Sequence, residues 1–359
     1  MHAVVRRASS LVCTEIEDPV PGPGQALLRT LACGICGSDL HVHLYADRHA
    51  ELAAKAGRTS AIAPGKDIVF GHEFCGEVLA YGGGGRGPFE PGTRVVALPY
   101  ATGPAGRETV GFSPRFPGGY GERLCVDASM LMAVPDHLDD RQAALVEPFA
   151  VGAHAVAQAD IDADSVAMVI GCGPVGLAVI AALKARGLGP IVAADFSPAR
   201  RRAAERLGAD VVVDPSMESP HAHWTAMGAW IPIVEREAAA EIGRKLRKPV
   251  VFECVGAPGV LHGVIEAVAP GAQIVVVGVC MEQDRFEPMT AINKRLLLRF
   301  VAAYGVREFA MTLKDIAEGR IDVDAMGSTV VGRGGVADAF EALRRPDSEI
   351  KVVIESGRP

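Results

Sequence analysis

Two different hydrophobic rhythms run along this chain. Up to about residue 150 the apolar runs are short, and glycine and proline clusters cut them apart. Ala26–Thr30, Cys75–Leu79 and Arg94–Ala97 are of this kind, and each predicts a short strand. The segment 81–91 is rich in glycine and predicts a hairpin or loop. From Ser165 onward, apolar strands alternate with helical stretches. Val166–Ile170, Ile191–Ala194, Val211–Val213, Val250–Phe252 and Gln273–Val277 predict strands. Val175–Ala185 and Pro198–Leu207 predict helices between them. Such alternation signals a parallel sheet covered by helices. Beyond residue 300 the chain mixes helix (307–319 and 336–344) with short strands. The stretch from Pro215 to Lys248, with His221, His223, Trp224 and Trp230, predicts a helical insertion with no assigned chemistry.

Composition narrows the class. Hydrophobic residues are 49% and charged residues 22% of the 359, which excludes a disordered chain, a coiled coil and a collagen-like fibre. Glycine is in excess, at 41 residues, and in a folded chain that excess belongs to turns and close backbone approaches. The net charge of −7 argues against a nucleic-acid partner. Charges at Arg6, Arg7, Glu15 and Glu17 argue against a secretory signal. The uncharged run Ser165–Leu183 is broken by Gly171, Gly173, Pro174 and Gly176, so strand, turn and helix fit it better than a membrane span. Eight cysteines without a secretion signal read as reduced thiols or metal ligands of a cytoplasmic protein.

Two clusters carry chemistry. The strand ending at Ile170 runs into Gly171-Cys172-Gly173-Pro174-Val175-Gly176 and then a helix. This strand–turn–helix context turns a weak glycine pattern into a dinucleotide site. Gly171 permits the turn, Gly173 lets the backbone approach a pyrophosphate, and Gly176 lets helix and strand pack closely. Asp195 ends the next strand and would accept hydrogen bonds from a ribose 2′-hydroxyl, favouring NAD. Arg200 and Arg201 could instead reach a 2′-phosphate, which keeps NADP open. The second cluster comprises Cys36, His72 and Glu147, a thiol, an imidazole and a carboxylate suited to a catalytic zinc with an open fourth position. Spacing alone leaves Cys36 open as a buried thiol and His72 as a core histidine. Cys33 and Cys36 also form a CxxC pair, but a structural knuckle lacks its second pair and a redox pair lacks a nearby βαβ unit.

Taken in order, Gly34–His41 (GICGSDLH), Gly71–Val78 (GHEFCGEV), Glu147–Val151 (EPFAV) and Val169–Leu177 (VIGCGPVGL) resemble the zinc-dependent medium-chain alcohol dehydrogenase family. The branch most similar in pattern contains sorbitol, threonine and butanediol dehydrogenases. The resemblance extends to Pro91–Leu98, Gly118–Leu124 and Val251–Gly256, and so covers nearly the whole chain. It implies an α/β fold with a GroES-like, β-rich catalytic domain (1–149 and 301–359) and a Rossmann-type coenzyme domain (150–300). It implies Cys36, His72 and Glu147 as zinc ligands, with Glu73 able to move in and out of the zinc shell. Ser38 then takes the substrate proton, His41 is the outer end of the relay, and Asp39 orients His72. Gly171, Gly173, Pro174, Val175, Gly176, Asp195 and Arg200 would bind the cofactor, and Cys254–Gly256 with Val277 and Val279 would line its nicotinamide end. The resemblance places the active site between the two domains. One departure stands out. The region 98–118, where many relatives bind a structural zinc through four cysteines, has none. One zinc per subunit is therefore expected. The resemblance also implies a homodimer or homotetramer acting on a small alcohol or carbonyl with NAD, or else NADP, while the missing lobe leaves open whether assembly follows the family pattern. The competing readings are a zinc-free quinone or enoyl reductase and a non-catalytic nucleotide-binding protein.

Overall fold

The computed structural model describes residues 1–57, 62, 65–104, 106–345 and 349–357. The chain divides into two units. One comprises Met1–Glu147, Phe309–Ala317 and Ser328–Pro359; the other comprises Pro148–Glu308 and Glu318–Gly327.

The first unit is built on a mostly antiparallel seven-stranded sheet. Its order is Leu131–Ala133, Arg94–Ala97, Glu73–Tyr81, Gln25–Gly34, Lys351–Glu355 and Ser328–Val331, with Arg123–Asp127 also pairing with Gln25–Gly34. A smaller sheet joins Ser10–Glu15, His2–Arg7 and Ile68–Val69. Register matters here, because it decides which distant residues meet. Gly34 lies opposite Glu73 on one side and Val353 on the other. The end of one strand, the start of a second and the middle of a third, far apart in sequence, thus converge on one place.

The second unit is a six-stranded sheet, parallel throughout. Its order is Val211–Val213, Ile191–Ala194, Ser165–Ile170, Lys248–Glu253, Gln273–Val276 and Leu297–Phe300. In chain order this is 3-2-1-4-5-6, the doubly wound arrangement whose ligands bind at the carboxyl ends of the central strands. The run Ser165–Leu183 is the strand Ser165–Ile170 followed by the helix Pro174–Ala185. No helix among the described residues is long and apolar enough to cross a membrane. The insertion forms two short helices, Ala222–Ala226 and Ile233–Glu241. Its Trp224 is fully buried and packs with Val192, Val213, Val251 and Ile274. The insertion therefore plugs one face of the sheet.

Candidate metal centre and nucleotide turn

The strand Gln25–Gly34 ends where the helix Gly37–Lys55 begins, and Cys36 is the residue at that helix N-terminus. The Cys36 N–H donates to Asp39 Oδ2 at 3.1 Å, so the first turn closes on its own acid. Burial and the Glu73 carboxylate push the Cys36 thiol up, against a pull down from His72. Gly71, with φ +106°, precedes His72 and lets the chain turn sharply before the strand Glu73–Tyr81 begins. Together these elements gather Cys36, His72 and Glu73, whose donor atoms all lie within 4.8 Å of one another.

His72 presents two different faces. Its Nε2 is 3.5 Å from Ser38 Oγ, and its Nδ1 is 3.4 Å from Asp39 Oδ1. Burial opposes charge on this imidazole, but Asp39 and Cys36 outweigh it and hold the pKa well above its ordinary value. Asp39 itself is fully buried, and its Oδ2 accepts from the Tyr120 hydroxyl at 2.8 Å. Glu73 is 1% exposed and forms an ion pair through Oε2 with Lys351, which is equally buried. Glu73 Oε1 has no hydrogen-bond partner among the described residues. Lys351 Nζ donates to the Ile35 carbonyl at 2.9 Å. Burial alone would lower the lysine pKa, yet Glu73, Cys36 and Glu147 raise it overall.

Zinc fits this donor set. Tetrahedral zinc with sulfur, nitrogen and oxygen ligands at about 2.0–2.3 Å places its donors ~3.3–3.8 Å apart, a modest contraction of the cluster. An orphaned, buried carboxylate oxygen facing a thiol and an imidazole is otherwise costly, and a cation resolves it. Glu147 is buried but lies outside the 4.8 Å group. Ser38 is beside the cluster, whereas His41 sits further along the helix, half-buried, with its pKa lowered by burial and its Nδ1 unpartnered among the described residues.

The glycine turn of the second unit has the features expected of a phosphate cradle. Gly171 takes φ +89°, and a Cβ on Gly176 would collide with the Gly171 carbonyl. A Cβ on Gly173 would meet nothing nearer than Arg200 Nη1 at 3.9 Å, so the backbone there is open to approach. Pro174 starts the helix, and Val175 lies in its first turn. Asp195 accepts from the N–H groups of Cys172 and Ser197, both at 2.8 Å, which fixes its carboxylate beside the turn. Arg200 lies 3.9 Å from Asp195 Oδ2. Arg201 is committed elsewhere, to the carbonyls of Asp195 and Phe196 and to Asp214. Val277 N–H donates to the Glu253 carbonyl, while Val255 and Gly256 N–H donate to its side chain, and a Cβ on Gly256 would press on Val279. The segments 254–256 and 277–279 thus lie side by side. Val279 is exposed.

Known proteins share this architecture along its length. Residues 22–136 match the alcohol dehydrogenase GroES-like domain, and residues 174–318 match the zinc-binding dehydrogenase model. The chain is 34% identical over 349 residues to (R,R)-butanediol dehydrogenase of Bacillus subtilis, covering 94% of each. The chain belongs to the zinc-binding medium-chain alcohol dehydrogenase family. Human sorbitol dehydrogenase is 28% identical, over 96% of this chain and 93% of its own. L-threonine 3-dehydrogenase of Rhizobium rhizogenes is also 28% identical, over 99% and 98%. The crystal structure of the Bacillus subtilis butanediol dehydrogenase superposes with a TM-score of 0.77 at 30% identity, covering 99% of both chains. Two residues that back this dehydrogenase's cluster, Tyr120 and Lys351, carry no sequence signal of their own. Tyr120 sits in a glycine-rich turn, and Lys351 is the one charge opening an apolar strand.

Proposed function

We propose that this dehydrogenase oxidises a secondary alcohol or polyol to the ketone, reversibly, with NAD and one zinc per chain. The observation that carries the reading is the buried meeting of Cys36, His72 and Glu73 beside the Ser38 hydroxyl. Bound zinc would supply Lewis acidity that lowers the pKa of a substrate hydroxyl. NAD would supply the hydride acceptor. Cys36, His72 and Glu73 would hold the metal, with Glu147 as the alternative carboxylate. Ser38 Oγ would accept the substrate proton. His41 would pass it outward, and burial suits it to that role because it favours the neutral imidazole that can take a proton. Asp39 would hold the His72 tautomer.

For the cofactor, Gly171, Gly173, Pro174, Val175 and Gly176 would cradle the pyrophosphate at a helix N-terminus. Asp195 supports NAD, while Arg200 is the group through which NADP could be accommodated. Val277 and Val279 would border the nicotinamide. The substrate class rests on the relatives named for butanediol, sorbitol and threonine.

A homodimer is the assembly this reading favours. Among the described residues the outermost strand Leu297–Phe300 pairs on one side only, and its Leu297 and Phe300 are exposed, as are Met289 and Ile292 of the preceding helix. An exposed apolar edge is a template for pairing with another strand.

Purified protein should contain about one zinc per chain and reduce NAD⁺ with a vicinal diol or polyol. Cys36→Ser should lose both metal and turnover while keeping its fold. Full turnover by a zinc-free Cys36→Ser protein would refute the reading.

A further inference from the structure

The Tyr120 hydroxyl is buried with no water-facing role, and it belongs to no group that the proposed chemistry uses. Its geometry gives it a purpose. Asp39 has two oxygens with different tasks. Oδ2 accepts from Tyr120 Oη at 2.8 Å and from the Cys36 N–H at 3.1 Å. Oδ1 is left for His72 Nδ1, 3.4 Å away. A carboxylate held by one donor can rotate about its Cβ–Cγ bond; held by two donors on the same oxygen, it cannot rotate without breaking both. The ring is as constrained as the carboxylate. Tyr120 is fully buried and makes edge-on contacts with Phe70 and Phe340, with ring centroids 6.2 Å apart in each case. Gly71 is what allows the ring so near. A Cβ at that position would stand 2.6 Å from Tyr120 Cδ1.

We infer that Tyr120 is a positioning residue for the metal centre: through Asp39 it fixes the orientation of the His72 imidazole, so that Nε2 faces Ser38 and the donor group of Cys36 and Glu73 that would hold a zinc. The hydroxyl remains a donor throughout, because burial and the nearby Asp39 push its pKa well above the ordinary tyrosine value. The chain of contacts therefore has a fixed direction. Tyr120 donates to Asp39 Oδ2, Asp39 Oδ1 faces His72 Nδ1 at 3.4 Å, and Nε2 is left toward the other donors. This inference rests on the zinc reading above.

The test is Tyr120→Phe, which removes one oxygen and keeps the ring contacts with Phe70 and Phe340. Partners that orient a metal ligand typically contribute 10–100-fold in metal affinity, and Tyr120 acts one bond further out. Tyr120→Phe should therefore still bind one zinc per chain. It should release that zinc to a chromophoric chelator roughly tenfold faster and weaken its dissociation constant by about the same factor. The visible absorption of the cobalt-substituted protein should shift, since His72 turns in the ligand field. In an Asp39→Asn background the same substitution should leave zinc release unchanged, because the route to His72 is already cut. A purely structural tyrosine would lower the melting temperature of metal-free and zinc-loaded protein alike and leave the release rate and cobalt spectrum as in the wild type; that result overturns the inference. Wild-type protein that takes up no zinc, like Cys36→Ser, would overturn the zinc reading and the inference with it. The two failures differ in whether the wild type holds metal.

Discussion

Lys351→Met should destabilise the metal-free protein strongly and the zinc-loaded protein much less. Lys351 and Glu73 are each 1% exposed and paired, and the lysine also donates to the Ile35 carbonyl. Methionine matches the volume of the lysine stem but leaves Glu73 as a buried, uncompensated carboxylate. Removing one partner of a buried pair costs about 3–5 kcal/mol. In a domain of 150–250 residues each kcal/mol moves the melting temperature by about 2–4 °C, so a fall of roughly 6–20 °C is expected after chelation. Zinc changes the balance, because its charge takes over the compensation of Glu73. The rise in melting temperature on adding zinc should therefore be larger in Lys351→Met than in the wild type. Scanning calorimetry with and without zinc measures both quantities, and Glu73→Gln completes a double-mutant cycle. The double variant should recover at least about 2 kcal/mol relative to the sum of the singles, since neither charge is then left alone. Additivity within about 0.5 kcal/mol would show that the two side chains do not sense each other and would refute this account of the ion pair.

Gly34→Ala should mimic part of that damage by steric means, because its Cβ would overlap Glu73 Oε2 and stand 3.1 Å from Lys351 Cε. A loss of about 1–3 kcal/mol and less than one zinc per chain by elemental analysis are expected. His221 should impose an acid limb on stability. Burial, aided by Lys294, lowers its pKa from 6.5 to about 4. The folded state therefore keeps it neutral, while the unfolded chain takes up a proton below 6.5. Its contribution is complete above pH 6.5 and is lost between 6.5 and 4, at most ~3 kcal/mol, and His221→Gln should flatten that limb in urea titrations at stepped pH. Phe300→Lys places a charge on the exposed edge strand and should halve the mass seen by light scattering; an unchanged mass would remove this strand from the assembly interface.

Legibility in the sequence followed the range of the interactions. In the second unit the strands from Ser165–Ile170 to Gln273–Val276 were readable because each is specified locally. Val166–Ile170 is an unbroken apolar run, Gly171 is needed for a left-handed φ, and Pro174 is preset for a helix start. Cys36 and His72 were readable because each sits in a short motif, whereas the carboxylate read with them was Glu147, and Glu73, which the structure gathers with them, entered only through the family resemblance. Lys351 and Tyr120 were not readable. A lysine opening the strand Lys351–Glu355 reads as an ordinary solvated end, and a tyrosine among glycines reads as a turn aromatic. What makes them matter is register. Ile354 pairs with Cys33, and Gly34 pairs with Glu73, so the start of the last strand falls beside the first carboxylate across more than two hundred residues of chain. The insertion after residue 215 hid its meaning for the opposite reason. Its Trp224 lies in a polar, histidine-containing stretch, yet it is fully buried in the apolar core of the sheet.

The same logic explains why His72 and Glu73, adjacent in sequence, serve one cluster. Neighbours within a regular strand point to opposite faces. Two consecutive residues can share a site only if the chain breaks its strand geometry between or just before them. The strand Glu73–Tyr81 starts at Glu73, and the residue ahead of His72 is a glycine with φ +106°. That glycine is doubly constrained, because a Cβ there would also stand 2.8 Å from Cys33 Sγ and 2.6 Å from the Tyr120 ring. One glycine thus aims the imidazole and leaves space for the tyrosine that anchors its partner Asp39. The metal donors and the groups behind them are therefore parts of a single packing solution, in which Gly34 beside the Glu73–Lys351 pair and Gly71 before His72 leave the space that the donors and their partners fill.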